Sequence, residues 1–300
     1  MTTSVDNPRW LVTGARGMLG RDLIAVLDAV PGSTVTAVGR ADLDITDASA
    51  VLEATAGHDI VVNAAAWTDV DGAESAESAA TEVNGTAVGH LARACAAHGS
   101  RLIQISTDYV FAGDNTEPYS ENAPTAPLNA YGRGKLIGEQ AVTELLPTSG
   151  YIVRTAWLYG EHGRNFVSTM LTLARDRDTL DVVDDQAGQP TWSAALARQV
   201  VRLGEAALAG RAPAGIYHGT ARGRATWYEL ARATFAGAGL DADRIRPTTS
   251  ENFTRPAKRP SYSVLAHDRW ADAGLSPMAD WRDMLAQALD CPGFVALRPD

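Results

Sequence analysis

Tyr131 and Lys135 are four residues apart in YGRGKLIGEQAV, a helical stretch entered from a loop containing Pro and Asn. Residues at that spacing share one helix face, so a phenol and an ammonium stand side by side. A tyrosine hydroxyl ordinarily titrates near ~10 and is a poor acid or base at neutral pH. A nearby cation favours the phenolate and is expected to lower that pKa, which makes a tyrosine a working proton donor. By itself the spacing is common on ordinary helix surfaces. It acquires meaning only if other elements bring a reactive partner to it.

Those elements are legible upstream. Short β-branched runs alternate with longer helical ones: Trp10-Leu11-Val12, then MLGRDLIAVLDAV; Thr34 to Val38, then a helix from Asp47 to Thr55; Asp59 to Asn63, then a long helix from about Ser75 to His98; Arg101 to Ser106, then the Tyr131/Lys135 helix; and Tyr151 to Thr155. This order predicts an α/β fold, a doubly wound parallel sheet of Rossmann type. The second half is less regular. Strand-like Asp181-Val182-Val183 and Gly215-Ile216-Tyr217 mix with helices at Trp192–Ala209 and Thr226–Gly237 and with Pro-containing loops. We expect a dinucleotide-binding domain over 1–160 and a smaller, mainly substrate-binding α/β domain over 161–300, with segments returning to the sheet.

Gly14, Gly17 and Gly20 fall between the first strand and first helix in the pattern G-x-x-G-x-x-G. Gly14 permits a tight turn, Gly17 lets the backbone approach a pyrophosphate, and Gly20 lets the helix pack closely. The helix N-terminus offers oriented N–H groups to phosphate. At the end of the second strand an acid would bind the ribose 2′-hydroxyl of NADH and an Arg the 2′-phosphate of NADPH. Arg40 sits there and points to NADPH; Asp42 and Asp44 follow and leave NADH open. Asn63-Ala64-Ala65-Ala66 ends the third strand with small residues, which admit either a flat ligand or a packed helix. Thr107, at the carboxyl end of the fourth strand, is placed to hydrogen-bond a substrate carbonyl, because ligands of such sheets bind at that edge.

Composition narrows the remaining classes. The chain has 300 residues, 45% hydrophobic and 7% aromatic, with a net charge of −10. That is enough chain for a sizeable core, and the acidic balance argues against nucleic acid. No apolar run reaches the ~18 residues of a membrane span. Cys95 and Cys291 give neither a metal-ligand spacing nor a disulfide framework. MTTSVDNPRW has no leader-like charge or apolar core. A reduced cytoplasmic protein is expected.

Taken together, the Gly14/Gly17/Gly20 turn, NAAAWTDVDGAE, ISTDYVFAG, PLNAYGRGKLIGE, RTAWLYG, DDQAGQPTW, GIYHGTARGRATWYELA and RPSYSVL resemble the extended short-chain dehydrogenases/reductases. Within them the chain is similar to the dTDP-4-dehydrorhamnose reductase family, over about residues 10 to 290. The resemblance implies NADPH-dependent reduction of the C4 ketone of a nucleotide-linked sugar. In that scheme Tyr131 donates the proton, Lys135 holds the nicotinamide ribose, and Thr107 holds the C4 oxygen. Asp108 and Trp157 would contact the sugar, and Asn165 would reach the nucleotide diphosphate. Arg16, Met18, Leu19, Asp44, Ile45 and Thr68 would touch the cofactor alongside Ala64, Ala65 and Ala66. Asp108 could instead be a strand-end cap, and Trp157 pure core. Some relatives hold Mg²⁺ at a dimer interface. Here Asp22 is present, but Ala194 and Ala195 stand where a second acid would be sought, so no metal is assigned and monomer and homodimer stay open. A related epimerase or dehydratase, and a non-catalytic regulatory subunit, are the alternatives. The absence of an Asp-Glu pair after Thr107 disfavours dehydration, and the intact Thr107/Tyr131/Lys135 set disfavours a purely binding role.

Overall fold

The computed structural model describes residues 7–299; the first six residues, where the absence of a leader is read, and Asp300 lie outside them. Five strands follow in chain order: β1 (Arg9–Thr13), β2 (Thr34–Val38), β3 (Ile60–Asn63), β4 (Arg101–Thr107) and β5 (Gly150–Thr155). A sixth, β6 (Gly215–His218), comes from the second half of the chain. All pair in parallel, in spatial order β6-β5-β4-β3-β1-β2. The winding direction reverses between β1 and β3, and a crevice opens at their carboxyl ends.

Near-continuous apolar strands suit a sheet covered on both faces, and the alternation assigns each side chain to a layer. Trp10, Val12, Ile60, Val62, Ile103 and Val153 join one core layer. It is covered by α1 (Met18–Asp28) and by the later helix Ser193–Leu208. Leu11, Val61, Leu102 and Ile152 face the opposite layer. There they meet α2 (Ala48–Thr55), α3 (Ala87–His98) and α4 (Ala130–Leu145), the helix that carries Tyr131 and Lys135. This is the expected doubly wound sheet with a smaller α/β unit attached. That unit pairs Leu180–Val183 with Ile245–Thr248 in parallel and packs Trp227–Gly237 behind them.

The structure corrects one element. The long helix expected from Ser75 to His98 is interrupted. Helical turns Val70–Ser75 and Glu77–Thr81 are separated at Ala76, which leaves the helical region with φ −133° and ψ 42°. A π-helical turn, Glu82–Thr86, then leads into α3. The irregularity has a use: it turns the Asn84 amide toward the backbone of Trp67, accepting from its N–H at 2.9 Å and donating to its carbonyl at 3.0 Å. Those bonds fix the segment that follows β3 at the crevice.

The helix Ser193–Leu208 reaches the sheet through Gly204. A Cβ there would stand 2.3 Å from Trp10 Cη2 and 2.8 Å from Ile60 Cδ1. Gly204→Ala would gain up to ~1 kcal/mol of helix propensity but overpack a core that costs ~1–3 kcal/mol to distort. The expected outcome is net destabilisation, read as a lower urea midpoint with an unchanged slope.

Candidate active site

The phosphate turn is built from backbone proximity. Gly14 has φ 66°, and a Cβ on it would lie 2.5 Å from the Ala65 nitrogen. A Cβ on Gly20 would lie 2.2 Å from the Gly14 carbonyl oxygen, so the third glycine lets the helix close on its own turn rather than on the sheet. Gly17 is the N-cap of α1; no side chain caps that terminus and no acid lies in its first turn. Its leading N–H groups and positive dipole end are left for an anion.

The crevice beyond this turn has a volume of about 990 Å³. Its lining includes Arg16, Met18, Leu19, Arg40, Asp44, Ile45, Ala64 to Ala66, Thr68, Tyr131 and Lys135. The structure thus brings together all the residues expected at the cofactor. Asp42 accepts from Arg16 at 3.2 Å and from the Gly39 N–H at 2.9 Å. Asp44 is occupied by Thr46, whose two hydrogen bonds hold its carboxyl below the usual range. Arg40 forms no ion pair among the described residues and lines the crevice, a suitable lone cation for a 2′-phosphate. An uncapped helix end, a close-packed glycine cradle, small residues opposite and a spare guanidinium fit a phosphorylated dinucleotide.

Lys135 and Tyr131 lie deeper. Lys135 is 4% exposed, and its Nζ donates to the Ile105 carbonyl at 2.6 Å. Burial pulls its pKa down to about 8, opposed by Glu139 one turn further along the helix. Burial also pushes the Tyr131 phenol up to about 12, with Asp108 adding to the rise and the adjacent Thr107 hydroxyl opposing it. Here the sequence expectation of a lowered phenol is corrected: Lys135 donates to the Ile105 carbonyl and desolvation dominates at Tyr131, which keeps its proton at neutral pH. Glu139 was missed. Four residues beyond Lys135 on the same face, it accepts from Arg154 at 2.9 and 2.7 Å and from Ser106.

Thr107, rather than Asp108, caps the short turn after β4: its Oγ1 accepts from the Tyr109 N–H at 3.2 Å and donates to Asp108 Oδ1 at 3.0 Å. Asp108 is 2% exposed, and burial raises its carboxyl to about 6. Trp157 has φ 48° and stacks on Trp227 with centroids 3.5 Å apart. A Cβ on Gly188 would come within 2.4 Å of its indole, which places Trp157 in a fixed stack outside the cofactor crevice. Asn165 Oδ1 accepts from Ser168 N and its Nδ2 donates to the carbonyls of Gly160 and Gly163. The amide caps the helix Phe166–Leu173 and orders the loop before it. That loop places His162 and Arg164 on the crevice rim, a contribution the sequence reading did not include. Asp22 accepts from Ser193, and His162 lies 3.9 Å away; among the described residues no group of three or more His, Cys, Asp or Glu could hold a metal.

Fold and site define a dinucleotide-dependent oxidoreductase with a Thr/Tyr/Lys set. The chain matches the family model for the RmlD substrate binding domain over residues 8–292 and belongs to that family. It is 57% identical, over 94% of its length and 93% of the relative's, to a dTDP-4-dehydrorhamnose reductase of Streptomyces griseus. It is 51% identical, over 93% and 96%, to a dTDP-4-keto-6-deoxy-D-glucose reductase of Streptomyces niveus. A crystal structure of the Bacillus anthracis dTDP-4-dehydrorhamnose reductase in complex with NADP superposes with a TM-score of 0.88 at 35% identity, covering 94% of this chain and 99% of that one.

The raised Asp108 carboxyl makes a stability prediction. A folded-state pKa above the unfolded value of 3.8 favours folding fully below that value and loses the benefit as pH rises through about 6. Asp108→Asn removes the titration. Its stability relative to the native chain should therefore rise with pH, by roughly 2–3 kcal/mol at neutrality at one ~1.4 kcal/mol per unit. Urea unfolding across this pH range would contradict the assignment if the difference stayed flat.

Proposed function

We propose that this chain reduces the C4 ketone of dTDP-4-dehydro-β-L-rhamnose to dTDP-L-rhamnose, using NADPH, as the last step of dTDP-rhamnose synthesis. One observation carries the reading: a protonated Tyr131, a Thr107 hydroxyl and a buried Lys135 meet at the strand ends beside a crevice fitted for a phosphorylated dinucleotide. When bound, NADPH supplies the hydride. Thr107 turns its hydroxyl from Asp108 to the ketone oxygen and fixes its position. Tyr131 delivers a proton to that oxygen as negative charge develops there. Lys135 offsets the charge left on the phenol. The residues 1–160 bind the dinucleotide, and 161–300 mainly the sugar nucleotide, with the helix Ser193–Leu208 and β6 completing the sheet. A cytoplasmic setting follows from the substrates. Reduction of dTDP-4-keto-6-deoxy-D-glucose is the second reading, supported by the Streptomyces niveus relative; a single comparison of the two substrates decides which is turned over faster.

Tyr131→Phe tests the chemistry. It should bind NADPH with unchanged affinity while kcat falls roughly 10²–10⁴-fold, the usual worth of general acid catalysis. Near-native turnover would remove Tyr131 from the donor role.

Arg40→Ala tests the cofactor. A charge-assisted hydrogen bond is worth ~1.5–3 kcal/mol, so KM for NADPH should rise about tenfold or more while KM for NADH barely moves. Equal shifts would detach Arg40 from the 2′-phosphate.

A further inference from the structure

A strap from the second half of the chain lies across the first turn of the catalytic helix, and one carboxylate fastens it. Asp71, in the turn Val70–Ser75, accepts from Arg255 Nη1 at 3.1 Å, from the Ala257 N–H at 3.1 Å, and from both terminal nitrogens of Arg259. These bonds hold its carboxyl well below the usual range. The strap is tied twice more. Its Lys258 carbonyl accepts from Nδ2 of Asn129 at 2.9 Å, and Ser261 donates to the Gly113 carbonyl at 2.8 Å. Asn129 is the N-cap of α4, where its Oδ1 accepts from Gly132 N at 2.8 Å. From the same short turn as Asp71, Glu74 accepts from the Ala130 N–H at 2.7 Å. Arg259 also lies against the Tyr109 hydroxyl, and the Tyr109 ring packs edge-on to Tyr131 with centroids 6.0 Å apart.

We propose that Asp71 is a positioning residue for the reduction: by fastening Arg259 and the strap over α4, it braces Tyr109 against the proton-donating Tyr131. The carboxylate does not line the cofactor crevice. It acts through a bidentate guanidinium that no Lys can reproduce, because only the planar fork bonds both oxygens while facing the phenol. Exposed ion pairs are worth little, but the Arg259 side chain is only 17% exposed and the Asp71 side chain 24%.

This inference rests on the reductase reading, and the experiment separates the two. Native enzyme, Asp71→Ala, Asp71→Asn, Arg259→Lys and Arg259→Gln are compared for kcat, for KM of the keto sugar, for NADPH Kd by fluorescence titration, and for melting temperature. Absence of turnover in the native enzyme would defeat the reductase reading itself. With the native enzyme active, Asp71→Ala and Arg259→Gln should each lower kcat about tenfold, with NADPH Kd within twofold of native. Arg259→Lys should not restore kcat, and the double variant Asp71→Ala/Arg259→Gln should lose no more than either single one. Native kcat in Arg259→Gln, or rescue by Lys, would overturn the proposal. So would a loss confined to melting temperature. If Asp71→Ala fails to fold, Asp71→Asn, which keeps the side-chain shape but replaces one of the two acceptors with an N–H donor, and the Arg259 variants carry the same comparison.

Discussion

Burying Lys135 is the constraint around which the site is arranged. An ammonium removed from water costs several kcal/mol unless its protons and charge are met. One proton goes to the Ile105 carbonyl, which ties α4 to β4. The charge is met by Glu139 one turn on, and that carboxylate is held by Arg154 from β5 and by Ser106 from β4. Arg154 in turn lies 4.9 Å over the Phe111 ring. Helix and two central strands are thus joined by one polar network inside an otherwise apolar layer. Removing Glu139, the one anion of the network, would strand the charges of Lys135 and Arg154, at a typical cost of about 3–5 kcal/mol. The register of α4 on the sheet, and with it the height of Tyr131 above the crevice, follows from that network.

The phosphate end obeys a different rule. There the requirement is closeness of backbone to backbone, and glycine meets it by lacking a Cβ. Gly14 faces the Ala64–Ala65 peptide and Gly20 faces the Gly14 carbonyl at distances no side chain tolerates. The first turn of α1 is consequently pinned to the end of β3. The uncapped N–H groups and the Ala64 to Ala66 edge face each other across the crevice. One end of the cleft is set by charge compensation and the other by steric exclusion.

What could be read from the sequence divides along the same line. The glycine turn, the strand ends and the Tyr131/Lys135 spacing were legible because their chemistry is local: a turn, a helix face, a strand terminus. The partners of Asp71 lie in the strap, Arg255 and Arg259, and a separation that long leaves no periodic trace. Glu139 was within reach, since it continues the 131/135 face, but a lone Glu on a helix reads as solvated surface. Asn165 carried a second signal that was passed over: an Asn three residues before Ser168 at the head of an apolar run marks a helix N-cap, and its amide makes those capping bonds. The break at Ala76 was hidden because Ala- and Glu-rich segments favour helix whether or not tertiary bonds, here those of Asn84 to Trp67, require a bend.

A phenol pushed up to about 12 is at first sight a poor donor. The comparison that matters is with the acceptor. As the ketone carbon is reduced, its oxygen becomes an alkoxide whose basicity approaches that of hydroxide, the conjugate base of water at ~15.7. Transfer from Tyr131 to such an oxygen is downhill, and burial guarantees that the proton is present when it is needed. A phenol lowered toward neutrality would be partly ionised in the resting enzyme and would place an anion where the ketone must bind. In the proposed scheme Lys135 offsets phenolate charge after transfer rather than creating it beforehand. That division agrees with an ammonium whose hydrogen bond goes to the Ile105 carbonyl at 2.6 Å and not to the phenol.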